Sequence, residues 1–397
     1  MPSGRRCIVI GAGLLGLSAA RALSRRGWSV DVLEAGDAIG HPLAGSKGDA
    51  RIFRLGYPEP HYVEMAIAAR TLWRELEEEV GRRLLQVTGQ LSFGETDEVD
   101  AVASSLARHG EPVERLTRRE AYARFPEVAL PTGALFEPGS GVLVADECLR
   151  ALRASTGFGV RTRTLVAGLE QAGDAVTVHC AGGPARPADM VVDCAGPAAL
   201  ALLGPTALAA TGAPPSLPQV AYFRAADTAP IDRARLPVFI EWGDDMIYGL
   251  PVVGSGPHAG TFKVSHHTPG PQFDSSDTSR FFDATATTPT ALVDDDPALL
   301  AVLIDGVRRL LPGLDPEPVA TERCIYDNSP DADFVLDRVG NVVVGCGTSG
   351  HGFKFGPLLG ELLADLAEGA EPRLDLRPFR LDRLGPGRPE AWADAAR

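Results

Sequence analysis

Apolar residues recur along this chain in two rhythms, and the switches between them predict where strands and helices fall. Residues 6–10 form a short apolar run, 13–26 carry apolar side chains at helical spacing, and 29–34 alternate as a second strand. Residues 61–80 repeat the helical period with one acidic face, and 98–109, 117–124 and 146–157 predict shorter helices. The stretches 175–180 and 190–195 predict strands. From 218 to 265 the texture is all strand, at 219–223, 238–242, 246–250 and 260–264, with Gly243, Asp244 and Asp245 as a hairpin turn. Asp295 and Asp296 before Pro297 predict a capped helix running to about 312. Strands near 318–327, 333–336 and 341–345 follow, then a helix over 354–368 and a surface tail over 370–397, rich in proline and arginine.

A βαβ opening, an antiparallel middle and an αβ return predict an α/β protein with two interleaved domains. A Rossmann-like dinucleotide-binding domain is expected over 1–85, 145–215 and 320–397. An α+β substrate domain on an antiparallel sheet is expected over 86–144 and 216–319. A length of 397 residues suits two or three domains of ~150 residues.

Composition narrows the function classes. With 45% apolar and 23% charged residues, a large core is expected and long disorder is not. The net charge of -14 argues against nucleic-acid partners, which meet basic stripes. No run is apolar enough to span a bilayer. Residues 7–23 resemble a leader's apolar segment, but Gly11, Gly13 and Gly16 interrupt it and Arg21, Arg25 and Arg26 restore charge. The six cysteines show no CxxC and no metal-ligand spacing, so reduced thiols, no metal and a cytoplasmic location are expected.

Among 38 basic residues only three are lysine: Lys47, Lys263 and Lys354. A lysine kept in an arginine-rich chain suggests a need for a compact ammonium that burial can deprotonate. Each has small or glycine residues nearby, as close backbone approach to a ligand requires. The plain alternative is scattered surface charge.

The first motif is Gly11-x-Gly13-x-x-Gly16 between a strand and a helix, with Glu34 ending the next strand. The glycines permit a tight turn, close approach of a pyrophosphate and helix packing, and the helix N-terminus faces the phosphates. Glu34 is expected to accept from a ribose 2′-hydroxyl, which disfavours a 2′-phosphate. The fingerprint alone does not choose between NAD and FAD.

Three further stretches narrow the choice: Gly45-Ser-Lys47-Gly-Asp-Ala-Arg51-Ile-Phe-Arg54, Arg323-Cys324-Ile-Tyr326-Asp-Asn-Ser-Pro-Asp331, and Gly350-His351-Gly352-Phe353-Lys354-Phe355. In this order they resemble the monomeric sarcosine oxidase family, which includes N-methyltryptophan and pipecolate oxidases and antibiotic-pathway imino-acid oxidases. The resemblance implies FAD, held covalently through Cys324 as a thioether. It implies that Arg54 and Lys354 bind a substrate carboxylate, that Lys263 promotes oxygen reactivity, and that His267 and Tyr326 line the active site. Arg51, Gly350, His351, Gly352 and Phe353 would border the flavin. An ordinary buried thiol is the alternative for Cys324, and a structural imidazole for His267 and His351. Lys47 departs from the family pattern, which usually has histidine there. That puts plain sarcosine in doubt, unless Lys47 only replaces a structural bond.

The implied reaction is oxidation of a secondary amino acid, N-methyl or cyclic, to an imine, with O2 reduced to hydrogen peroxide by a monomer. Rivals are a tailoring oxidase of a cyclic imino acid or peptide-like amine, with 92–145 and 271–295 as a substrate roof, and a dehydrogenase using another acceptor. A flavin-binding subunit without turnover would lack Lys263 or Arg54.

Overall fold

The structure is a computed structural model and describes residues 4–40, 44–154, 157–204, 213–226, 236–243, 246–267, 270–273 and 294–384. A six-stranded sheet runs in the order Val335–Val339, Val342–Cys346, Met190–Asp193, Arg6–Ile10, Ser29–Leu33, Phe158–Arg161. All neighbours pair parallel except the first two strands. Its central strands are continuous apolar runs, as expected where helices cover a parallel sheet. The helix Leu14–Arg25 packs on the helix Gly356–Glu368, and a Cβ at Gly360 would lie 2.4 Å from the Ser18 carbonyl carbon. Only glycine permits that approach.

The second layer is an eight-stranded sheet, ordered Ala320–Arg323, Gln219–Phe223, Phe262–His266, Ile247–Pro251, Val238–Trp242, Gln90–Gly94, Ala134–Glu137, Glu114–Leu116. It is antiparallel except where Val238–Trp242 meets Gln90–Gly94. The helix Pro297–Leu310 covers one face, and Leu303, Val307 and Leu310 join Phe239, Phe262 and Val264 in a core. Asp296 caps that helix by accepting from the Ala298 and Leu299 amides at 2.9 and 3.2 Å. A small sheet of Ala50–Phe53, Gly141–Val144 and Leu85–Gln86 and a meander over Val166–Ala188 complete the described strands.

The strand expected at 260–264 lies two residues later, because Val252 and Thr261 close the preceding turn by a backbone bond. Ala320–Arg323 joins the eight-stranded sheet, so that sheet runs one strand past the expected boundary at 320. The hairpin turn at 243–245, the roof at 271–295 and the tail lie partly outside the described residues. Among described residues, no helix is long and apolar enough to cross a membrane.

Candidate active site

Backbone geometry builds one end of the site. After Arg6–Ile10 the chain turns at Gly11, whose φ is +93°. A Cβ there would lie 2.5 Å from the Cys194 carbonyl oxygen, and one at Gly16 would lie 1.9 Å from the Gly11 oxygen. Glu34 reaches back from the second strand and accepts from the Ala12 and Gly36 amides, each at 2.7 Å. Its carboxylate therefore fastens the turn as well as bordering the cavity. Ser46, quoted in a motif but given no role from sequence, accepts from the Leu14 amide at 3.0 Å and satisfies one of the helix's free donors.

Side chains from distant segments build the other end. Arg54 is buried, with its guanidinium carbon 4.0 Å from the Tyr57 ring centroid and 5.4 Å from that of Trp242. Lys354 donates to the Tyr57 hydroxyl at 2.8 Å and to the His351 carbonyl at 2.7 Å. The Trp73 indole in turn donates to the Lys354 carbonyl at 2.7 Å, fixing that backbone. Burial, with Arg54 close by, pushes the Lys354 ammonium well below its usual pKa. Burial followed by Arg54 and Lys354 lowers His267 to about 3, so its ring is neutral at ordinary pH.

A buried carboxylate stands behind this cationic end. Glu137 is 1% exposed and accepts from the Gly56 amide at 2.9 Å, Ser140 at 3.0 Å, Gln90 at 2.9 Å and Ser92 at 3.2 Å. Burial raises its pKa, while the Gly56 amide, Ser140, Arg54 and Ser92 oppose that rise. It anchors the segment that carries Arg54 and Tyr57.

The middle of the cavity joins the two ends. Cys324 lies on its wall after the edge strand, its thiol 3.9 Å from the Pro218 carbonyl oxygen. Tyr326 is hydrogen-bonded to Tyr248 and lies 6.4 Å from the His267 ring, and a Cβ at Gly350 would lie 2.2 Å from its ring. Lys263, buried and also lining the cavity, donates to the Ala50 carbonyl at 3.5 Å. Burial and then Arg51 lower its pKa to about 7. Arg51 binds the Gly45 carbonyl at 2.9 Å and the Lys47 carbonyl, tying down the turn before it.

Glu34, Gly13, Ser46, Cys324, Lys263, Arg54, His267 and Lys354 line one cavity of about 590 Å³. Gly11, Arg51, Tyr326, Gly350, His351, Gly352 and Phe353 also line it. Gly16 acts by packing, and Lys47 does not reach the wall. Sequence reading passed over Tyr248, Ile240 and Leu250, which share the wall with Lys263. The strand period offered a signal for two of them, since Leu250 pairs with Lys263 and Tyr248 is two residues away. The cradle fits a dinucleotide: glycines give room where a pyrophosphate must approach, and an acidic side chain stands at the far end.

Comparisons with known proteins agree with this geometry. Residues 6–366 match the family described as DAO, FAD dependent oxidoreductase. The chain is 33% identical to human peroxisomal sarcosine oxidase, with 95% of each chain covered. It is 30% identical to N-methyl-L-tryptophan oxidase of Citrobacter koseri, covering 95% of this chain and 98% of that one. Among solved structures, the open form of NikD, an unusual amino acid oxidase essential for nikkomycin biosynthesis, aligns with a TM-score of 0.75. There identity is 26%, with 96% of this chain and 98% of that one covered.

Proposed function

The chain belongs to the FAD dependent oxidoreductase family, and from that premise we propose that it oxidises the C–N bond of a secondary amino acid, N-methyl or cyclic, to an imine, with O2 as acceptor. The observation that carries this reading is one cavity in which a dinucleotide cradle continues into a pair of buried cations, Arg54 and Lys354. FAD, when bound, would supply the two-electron oxidant for the C–N bond.

Gly11, Gly13 and Gly16 shape the turn that admits the pyrophosphate, and Glu34 borders the ribose. Arg51, Gly350, His351, Gly352 and Phe353 would border its ring system, and Cys324 would be the residue that holds it as a thioether. Arg54 and Lys354 clamp the substrate carboxylate. The guanidinium fork supplies direction, and the flanking Tyr57 and Trp242 rings restrict its movement. His267, kept neutral by burial and then by those two basic neighbours, offers the substrate amine a hydrogen-bond partner without adding positive charge. Tyr326 and Tyr248 close the wall beside it. Lys263 presents a cation where negative charge develops on oxygen, the electrostatic role that a buried ammonium performs best. The enzyme acts as a monomer on a small-molecule substrate, and six unpaired cysteines suit a cytoplasmic setting.

Hydrogen peroxide release, screened with N-methyl and cyclic amino acids side by side, tests the proposal. Peroxide from at least one of these amines is the expected result. Flavin bleaching without oxygen consumption would instead identify a dehydrogenase, and no bleaching by any secondary amino acid would sink the substrate class.

A further inference from the structure

Behind Lys263 lies a charged cluster that does not touch the cavity. Tyr222 pairs directly with Lys263 on one side, while its strand neighbour Val220 pairs with Glu322 on the other. The pleat therefore puts Lys263, Tyr222 and Glu322 on one face of the sheet. The Tyr222 hydroxyl donates to Glu322 Oε2 at 2.8 Å, and Lys263 Nζ stands 5.8 Å from the Tyr222 ring centroid. His258 stacks on Tyr222 with ring centroids 3.9 Å apart and brings Nε2 to 3.6 Å from Glu322 Oε1. The turn at Gly48 covers the carboxylate, since a Cβ there would lie 3.7 Å from Glu322 Oε2 and 3.2 Å from Arg51 Nη1. Lys47, beside that turn, is the cation that acts most strongly on Glu322.

We propose that Glu322 is a positioning residue that holds positive charge on Lys263, and that Lys47 acts as its counterweight. The assignment rests on the reading of Lys263 as the oxygen-facing cation. It gives Lys47, the departure from the family pattern, an electrostatic place outside the substrate-binding wall.

Four charged or titratable groups act on Lys263. Arg51, from the strand Ala50–Phe53, opposes its protonation; Cys324, after the edge strand, then Glu322 and Asp49 favour it. Asp49 is held by the His258 amide at 2.8 Å. A thioether at Cys324 carries no charge, which leaves Glu322 as the larger remaining support for the ammonium. Because Lys263 titrates near 7, small changes in that support alter its charge at neutral pH. Glu322→Gln lowers the Lys263 midpoint, and Lys47→Met raises it by removing a cation while Tyr222 and His258 still hold the Glu322 carboxylate. A merely structural role for the two residues would not produce opposite signs.

The three-lysine composition makes the test direct. Labelling the holoenzyme with [13Cε]lysine gives three resonances, and Lys263→Met identifies its own by removal. The Lys263 midpoint is expected to fall by about one pH unit in Glu322→Gln and to rise by a smaller amount in Lys47→Met. The pH profile of reoxidation by O2 should move in the same directions while flavin reduction by substrate stays unchanged. If Glu322→Gln fails to fold, the upward shift in Lys47→Met still decides. Unmoved midpoints, or shifts of the same sign, overturn the proposal. Unimpaired reoxidation in Lys263→Met would instead overturn the oxygen reading, and the NMR coupling would stand or fall separately.

Discussion

At the dinucleotide end of the cavity, the contacts come from neighbouring stretches of chain and from backbone. Gly11, Gly13, Glu34 and Ser46 all lie within the first 46 residues, and their bonds run to amides at Ala12, Leu14 and Gly36. At the amine end, Tyr57 and Lys354 meet although 297 residues separate them, and the basic side chains of Arg54 and Lys354 are buried beside the neutral ring of His267. The first region tolerates ligand charge through fixed dipoles and space. The second holds buried basic groups whose charged forms burial disfavours and a bound anion stabilises. Damage should therefore differ in kind: steric and total at one end, electrostatic and graded at the other.

The largest effect belongs to Gly16→Val. A side chain starting 1.9 Å from the Gly11 oxygen prevents the turn from closing, so purified protein should hold almost no flavin and melt at lower temperature. A normal flavin-to-protein ratio would break the comparison at its steric end. Next comes Arg54→Gln, which leaves Lys354 as the remaining cation of the clamp. A loss of about 3–5 kcal/mol, the usual cost of breaking a buried charge pair, corresponds to a fall in kcat/KM of roughly 10²–10⁴-fold. Steady-state kinetics should place most of it in KM while flavin content stays normal. Loss of flavin would show the two ends to be one cooperative unit.

A graded effect is expected with pH. Lys354 is held well below 10.5 in the ligand-free site, and a bound carboxylate favours its charged form again, so binding of a carboxylate analogue lacking the amine is linked to proton uptake as pH climbs through the lowered pKa. Above the lowered pKa, affinity then weakens as pH rises, approaching about tenfold per unit for one proton. Titration calorimetry in buffers of different ionisation enthalpy should detect uptake, and Lys354→Met should flatten the profile. Flat affinity in the wild type would mean that Arg54 carries the carboxylate by itself. The smallest effect on the fold is that of Cys324→Ser: melting should barely change, but acid precipitation should release the yellow colour that stays with wild-type protein. Colour released from the wild type counts against the tether.

The glycine turn was legible because backbone demands are local: a turn that tight accepts few residues, and a strand and helix must flank it. The motif residues Arg54, Cys324 and Lys354 were legible through resemblance, and Lys263 through its rarity in an arginine-rich chain. Glu137 left only a faint signal, an acid ending the apolar run Ala134-Leu-Phe, and three of its four partners, Gly56, Gln90 and Ser92, come from two distant stretches. Tyr248, Trp242 and Glu322 gave less, since an aromatic or an edge-strand acid has many ordinary uses.

By itself, the sequence determined the alternation of strand and helix, the nucleotide turn and the identity of the scarce lysines, because these depend on neighbours a few residues away. Only the tertiary structure decided that Lys354 faces Tyr57, that Lys263 has Glu322 behind it through Tyr222, and that Lys47 stands outside the cavity. Charge acts through space, and the distances that set its strength exist only once the two sheets have packed.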